Sequence, residues 1–226
     1  MAESIWQLDG PGFCFDVDLH AIPDVASLAF TEKQTLTFGS FNHTRKITPA
    51  CIKRFARLLN QFPEASLLLR SHSFYDLQVR RYFLRALINA GSDPAQIQAL
   101  PYAPSADEAL RDYGKIHIHL DSYPVCGTTT TLDALAMGTP VLTTPTHLYA
   151  GAISAAILTQ LGYSHWICES IEDMSSRIES TFATYCNPQQ RKALAAKVRA
   201  SPLFDTLNTP ISFSQSLRRM IKSTPS

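Results

Sequence analysis

The residues best equipped for chemistry lie in one stretch, residues 120–144, which reads LDSYPVCGTTTTLDALAMGTPVLTT. It has the pattern of a buried strand end, a tight loop, a helix and a following strand. Gly127 permits a sharp turn where a side chain would clash. Thr128, Thr129, Thr130 and Thr131 then occupy the expected helix start, where an early hydroxyl can cap the free N–H groups. Leu132, Leu135 and Ala136 form an apolar face, and Gly138 with Pro140 provides the stop. A glycine turn and hydroxyls at a helix N-terminus suit an anion, because unpaired N–H donors and the positive end of the helix dipole point the same way. Phosphate is the first-choice ligand, against the plainer alternative of an ordinary threonine-rich helix start. Asp133 has two readings as well: a carboxylate favouring the dipole, the safer one on sequence alone, or an acceptor of hydrogen bonds from a ribose.

Those residues need a frame, and the pattern along the chain supplies one. Residues 1–34 are irregular, broken by Gly10, Pro11, Gly12 and Pro23, and read as a lead-in. Residues 35–226 read as one α/β unit. Strands are expected at 35–41, 66–70, 97–100, 116–120, 139–143 and 165–168. Helices are expected after Thr48-Pro49, an N-cap and first-turn pair, and over 74–90, 105–113, 150–161, 171–185, 188–200 and 211–221. Ser105 caps its helix with Glu108 as the capping-box partner. This alternation argues for a parallel, doubly wound sheet, in which ligands sit beyond the carboxyl ends of the strands. The polar loop Asn42-His43-Thr44-Arg45-Lys46 and the threonine turn both leave strands at that end. His117 and His119 alternate along one strand and read as structural.

Composition narrows the function. The chain has 226 residues, 45% hydrophobic and 17% charged, with no apolar run long enough to cross a membrane. Cys14, Cys51, Cys126, Cys168 and Cys186 are scattered, without a CxxC pair, so neither a zinc knuckle nor a disulfide framework is supported. A reducing, cytoplasmic setting is the expectation. The net charge of +1 hides an asymmetry: residues 1–36 hold six acids against Lys33, and residues 188–226 hold seven bases against Asp205. Attraction between the ends, an acidic partner for the tail, or solvated helix faces all account for it. The bases are not interleaved with aromatics, so nucleic acid is not demanded. GxGxxG and GxxxxGK[ST] are both absent, which disfavours dehydrogenase-type and P-loop folds.

Two segments together resemble a known family. LTFGSFNHTRKITP at 36–49 and the stretch at 120–144 resemble the second catalytic lobe of the O-linked N-acetylglucosamine transferases, including the SPINDLY-like members. LTQLG at 158–162 and SPLFD at 201–205 are similar to the same lobe, so the resemblance covers roughly residues 13–222. It implies a Rossmann-like α/β lobe, the second half of a GT-B transferase. It also implies a nucleotide-sugar donor, UDP-N-acetylglucosamine by default or a GDP-sugar, and transfer to Ser or Thr of an acceptor protein. By that resemblance Lys46 stabilises the leaving diphosphate, His43 faces the same phosphates, Thr128, Thr129 and Thr130 hold the diphosphate after Gly127, and Asp133 receives the ribose. No metal and no cofactor are implied by the resemblance.

Departures accompany the resemblance. Cys126 stands where the family has Asn, Ala106 and Ala109 stand near the base-binding segment, and Ala152 is the nearest match to an expected arginine. The family's first lobe and tetratricopeptide repeats have no counterpart in these residues, so the chain reads either as a fragment or as one half of a split enzyme whose partner supplies the other lobe. The rival reading is a non-catalytic nucleotide-sugar-binding or interaction module. A sugar-nucleotide epimerase is a weaker third.

Overall fold

In the computed structural model the described residues are 14–15, 23–25 and 35–223. The expectation for residues 1–34 therefore falls mostly outside them. Five parallel strands form one sheet: β1 (Thr37–Ser40), β2 (Ser66–Arg70), β3 (Ile97–Leu100), β4 (Ile118–Leu120) and β5 (Val141–Leu142). Their order is β3-β2-β1-β4-β5. The chain therefore moves outward from β1 to β3, returns, and continues from β4 on the other side. That reversal between β1 and β4 is the switch point at which doubly wound sheets bind ligands. The expected parallel α/β architecture is what the structure has.

Among the described residues, eight α-helices accompany the sheet: α1 (Pro49–Gln61), α2 (Leu77–Asn89), α3 (Ala106–Arg111), α4 (Thr129–Ala136), α5 (Tyr149–Leu161), α6 (Ile171–Tyr185), α7 (Pro188–Arg199) and α8 (Asn208–Ser223). The Thr48 hydroxyl accepts from the Cys51 amide at 3.2 Å with Pro49 in the first turn, and Ser105 accepts from the Glu108 amide at 3.2 Å. Both caps follow the sequence. Gly138 ends α4 at φ +73°, a left-handed position that strains any L side chain.

Two expected elements, a helix and a strand, take a different form. The helix foreseen over 74–90 begins later, because the Asp76 carboxylate accepts from the Gln78 and Val79 amides and starts α2 there. Residues His72–Tyr75 form a separate 3-10 turn, with Phe74 buried in the core. The strand foreseen at 165–168 is instead a 3-10 turn, Ser164–Trp166, followed by a single parallel bridge from Ile167 to Thr143. There Trp166 stacks on Tyr163 at 4.6 Å and is buried, so ring packing dictates the local path.

The basic tail is also not a set of solvated faces throughout. Arg191 of α7 is buried, donating to the Gly138 and Tyr113 carbonyls at 3.0 Å each and to the Thr139 hydroxyl. Burial lowers its pKa to about 9. Arg199 donates to the carbonyls of Ala136, at 2.8 Å, and Pro23, at 3.0 Å. These bonds fasten α7 to the C-terminal end of α4. No helix among the described residues is long and apolar enough to cross a membrane.

Candidate functional site

The loop after β1 and the loop after β4 meet at the switch point. Ile47 bridges to Tyr123, and the Thr48 hydroxyl donates to the Tyr123 carbonyl at 2.8 Å. The peptide before Pro124 is cis, and the Arg54 guanidinium lies 4.5 Å over the Tyr123 ring while donating to the Thr144 hydroxyl. α1 thus presses the second loop against the first.

The turn itself is held by a residue that the sequence reading passed over. Asp121 is buried. Its Oδ1 accepts from the Ser122 amide at 2.8 Å, the Gly127 amide at 2.7 Å and the Asn42 side chain at 3.3 Å, and its Oδ2 accepts from the Thr143 hydroxyl at 2.8 Å. A carboxylate taken out of water is tolerable only with such a set of donors. Asn42, fully buried, also accepts from the Thr130 hydroxyl at 2.9 Å, so one amide ties both loops to the first turn of α4. Ser154 of α5 donates to the Gly127 carbonyl at 2.9 Å. No sequence signal separates Asp121 from a solvated aspartate at a strand end.

Gly127 is required for space. A Cβ there would lie 2.6 Å from the Thr131 hydroxyl and 2.7 Å from that of Thr130. Its φ is not positive, so the constraint is close approach, not a left-handed turn. Thr128 is the N-cap of α4, yet its side chain makes no capping hydrogen bond. The hydroxyl cap foreseen for the early threonines is thus absent at Thr128. Thr130 bonds Asn42 and Thr131 bonds Ser154, and helical bonding begins only at the Leu132 amide. The amides of Thr129, Thr130 and Thr131 therefore lack intrahelical partners and present the positive end of the helix.

Lys46 reaches this point from the other loop. Its ammonium donates to the Cys126 carbonyl at 2.8 Å, one residue before Gly127. His43, exposed, precedes the Thr44–Lys46 turn and accepts from the Arg45 amide through Nδ1 at 3.1 Å. Cys126 fits where it stands: its thiol is buried, donates to the Ala150 carbonyl at 3.2 Å and accepts from the Ser154 amide at 3.3 Å.

Asp133 is the unusual group. It lies beyond the first turn of α4, so the reading as a simple dipole partner does not hold. Its carboxylate accepts no hydrogen bond among the described residues, and burial pushes its pKa up to about 7. Its charge is felt by Tyr102 and Tyr113, whose phenols are raised first by burial and then by Asp133. His117 and His119 are structural, accepting from the Thr37 amide at 2.9 Å and the Phe41 amide at 3.2 Å. Burial lowers the His119 pKa to about 4.

The profile described as Glycosyl transferase family 41 matches residues 28–212. The chain belongs to that family. A probable UDP-N-acetylglucosamine–peptide N-acetylglucosaminyltransferase SPINDLY from Oryza sativa subsp. japonica is 29% identical over 186 residues, covering 82% of this chain and 20% of that protein. The Arabidopsis thaliana SPINDLY protein is 31% identical over 138 residues, which is 61% of this chain and 15% of that one. The chain thus spans a small part of the relatives' length. Among solved structures, an O-GlcNAc transferase mutant from Thermobaculum terrenum aligns with a TM-score of 0.74 at 24% identity, over 88% of this chain and 39% of that one. Sucrose-phosphate synthase from Thermosynechococcus elongatus aligns with a TM-score of 0.59 at 16% identity, over 92% and 52%. The fold of this family 41 chain is that of one lobe of a GT-B glycosyltransferase.

Proposed function

We propose that this chain binds the nucleotide sugar in a protein O-glycosyltransferase, with UDP-N-acetylglucosamine as the default donor and Ser or Thr of an acceptor protein as the receiver. The observation that carries the reading is the meeting of Lys46 with the threonine turn, where its ammonium lies 2.8 Å from the Cys126 carbonyl. The site therefore joins one cation to the amides of Thr129 and Thr130 at a helix start. A diphosphate placed there gains negative charge as the bond to the sugar breaks, and donors already fixed in position stabilise that charge without reorganising. His43 adds a ring at the rim. Asp133, whose carboxylate accepts no hydrogen bond among the described residues, accepts from the ribose hydroxyls. No metal ion is required for charge neutralisation in this scheme.

Part of the acceptor site and residues nearest the reacting carbon come from a further lobe, on the same polypeptide or on another chain, because orienting both reactants is a large part of the rate. GDP-sugars remain the alternative donor, and a non-catalytic donor-binding module is the second reading. The second is favoured by Ala106 and Ala109 of α3, which present only methyl groups near the segment expected to meet the base.

Calorimetric titration with UDP, GDP and their sugar conjugates tests the proposal. Wild-type protein is expected to bind one of them saturably, and Lys46→Ala to bind about tenfold more weakly or less. The variant should keep its fold, since Lys46 sits in a half-buried loop outside the core. Equal affinity in the two proteins would remove Lys46 from the site.

A further inference from the structure

Away from the switch point, α2 presents a surface that the donor site does not use. Its inner face is spent on the core through Phe83 and Leu87. Its outer face carries Leu77, 59% exposed, and Tyr82, 60% exposed, together with Arg81 and Arg85. Gln78, Arg81, Tyr82, Arg85 and Asn89 line a shallow cleft of about 530 Å³. α2 contains three arginines and no acid. The flanking carboxylates are already engaged: Asp76 caps α2, and Asp93 accepts from the Ala95 amide at 2.8 Å. Among the described residues no ion pair involves Arg80, Arg81 or Arg85. The neighbouring helix α1 adds Lys53 and contains no acid, while its Arg57 is already paired with Glu172 at 2.6 Å.

We infer that this face docks an acidic stretch of a partner polypeptide. Guanidinium forks match carboxylates in two-point geometry. The Tyr82 ring offers a flat apolar contact, and the Gln78 and Asn89 amides can pair with a peptide main chain. Arginine and tyrosine are also the side chains that concentrate binding energy at protein interfaces. A bilayer fits less well. An interfacial helix needs a free apolar face, whereas that of α2 is already buried and what remains is a concave strip with arginines at its centre. The surface also leads somewhere: Ser73, in the turn before α2, accepts from the Thr44 hydroxyl at 2.9 Å, two residues from Lys46. A peptide lying along α2 would reach the rim of the switch-point site. Docking itself does not depend on the donor reading.

The test uses the whole chain and its Arg81→Glu/Arg85→Glu variant, with a fluorescein-labelled peptide of alternating glutamate and tyrosine as the probe. Saturable binding that weakens with salt, and falls about tenfold or more in the variant, is expected. Circular dichroism checks that the exposed substitutions leave the fold intact, and nucleotide titration should give the same result for both proteins. Absence of saturable peptide binding, or equal binding to both, overturns the inference. So does a variant-sensitive association with phosphatidylserine vesicles in the absence of peptide binding, which would make α2 a lipid-facing surface.

Discussion

Asp121 and Asp133 stand on either side of the threonine turn, and the protein surrounds them differently. Asp121 accepts four hydrogen bonds and is closed off from solvent. Asp133 accepts none among the described residues, and burial holds its pKa near 7. The first is framework: its charge is matched on the spot and fixes the path from β4 to α4. The second has no donor among the described residues to match its charge, and its proposed role toward the ribose rests on that difference.

Removing the matched carboxylate should produce the largest effect. Asp121→Ala strands the Ser122 and Gly127 amides, the Asn42 amide and the Thr143 hydroxyl. Each buried donor left unpaired costs about 1–3 kcal/mol, so even with water entering we expect a loss of about 4 kcal/mol. Urea unfolding measures it. A loss under about 1 kcal/mol would mean the turn is held elsewhere, and the contrast with Asp133 would collapse.

Asp133→Asn should act in the opposite direction. In the unfolded chain this carboxyl titrates near 3.8 and in the folded protein near 7. Between those values the folded state keeps a proton that the unfolded state has released. Stability contributed here therefore falls as pH rises from about 4 to about 7 and stays flat above. The full shift corresponds to about 4 kcal/mol; with part of the carboxylate still wetted, we expect the Asn variant to be about 2 kcal/mol more stable at pH 8 and equal at pH 3.5. Unfolding curves across that range give both slopes. Nucleotide affinity should drop in the same variant, separating function from stability at one atom pair. A variant with the wild-type slope would exclude Asp133 as its source.

Much of this arrangement was legible beforehand, and the exceptions have physical causes. Strand–helix alternation, the Thr48-Pro49 cap and the Ser105 cap are local signals, and the structure reproduces them. The meeting of the two loops follows from parallel topology, which places every strand end on one side. Asp121 was missed because a polar residue at a strand end looks the same whether solvent or a buried network receives it. Arg191 was missed for the same reason, since a cation in a basic helix does not announce that it will reach three oxygens on α4 and its neighbours. The helix start at Asp76 was obscured by Phe74, whose apolar side chain extends the periodicity one turn too far although it belongs to a separate 3-10 turn. Thr128 shows the reverse error: a residue of the right type sits at the cap position and its hydroxyl does not cap.

The smallest effect makes the sharpest comparison, because it divides the threonines themselves. Thr130 donates to Asn42 at 2.9 Å and is thereby linked to the Asp121 network. Thr129 is exposed, and its hydroxyl has no hydrogen bond among the described residues. Replacing either by valine keeps the shape and deletes only the hydroxyl. Thr130→Val leaves the Asn42 oxygen without its donor and should cost about 1 kcal/mol in urea unfolding. Thr129→Val should change stability by less than about 0.5 kcal/mol but weaken diphosphate binding in the same calorimetric titration. Thr130 would then serve the ligand through its backbone amide, which valine retains, so its affinity loss should be the lesser of the two. The opposite order, with Thr130→Val harmless to stability and more damaging to binding, would move the boundary between framework and site inside the first turn of α4 and give the Thr130 hydroxyl to the ligand.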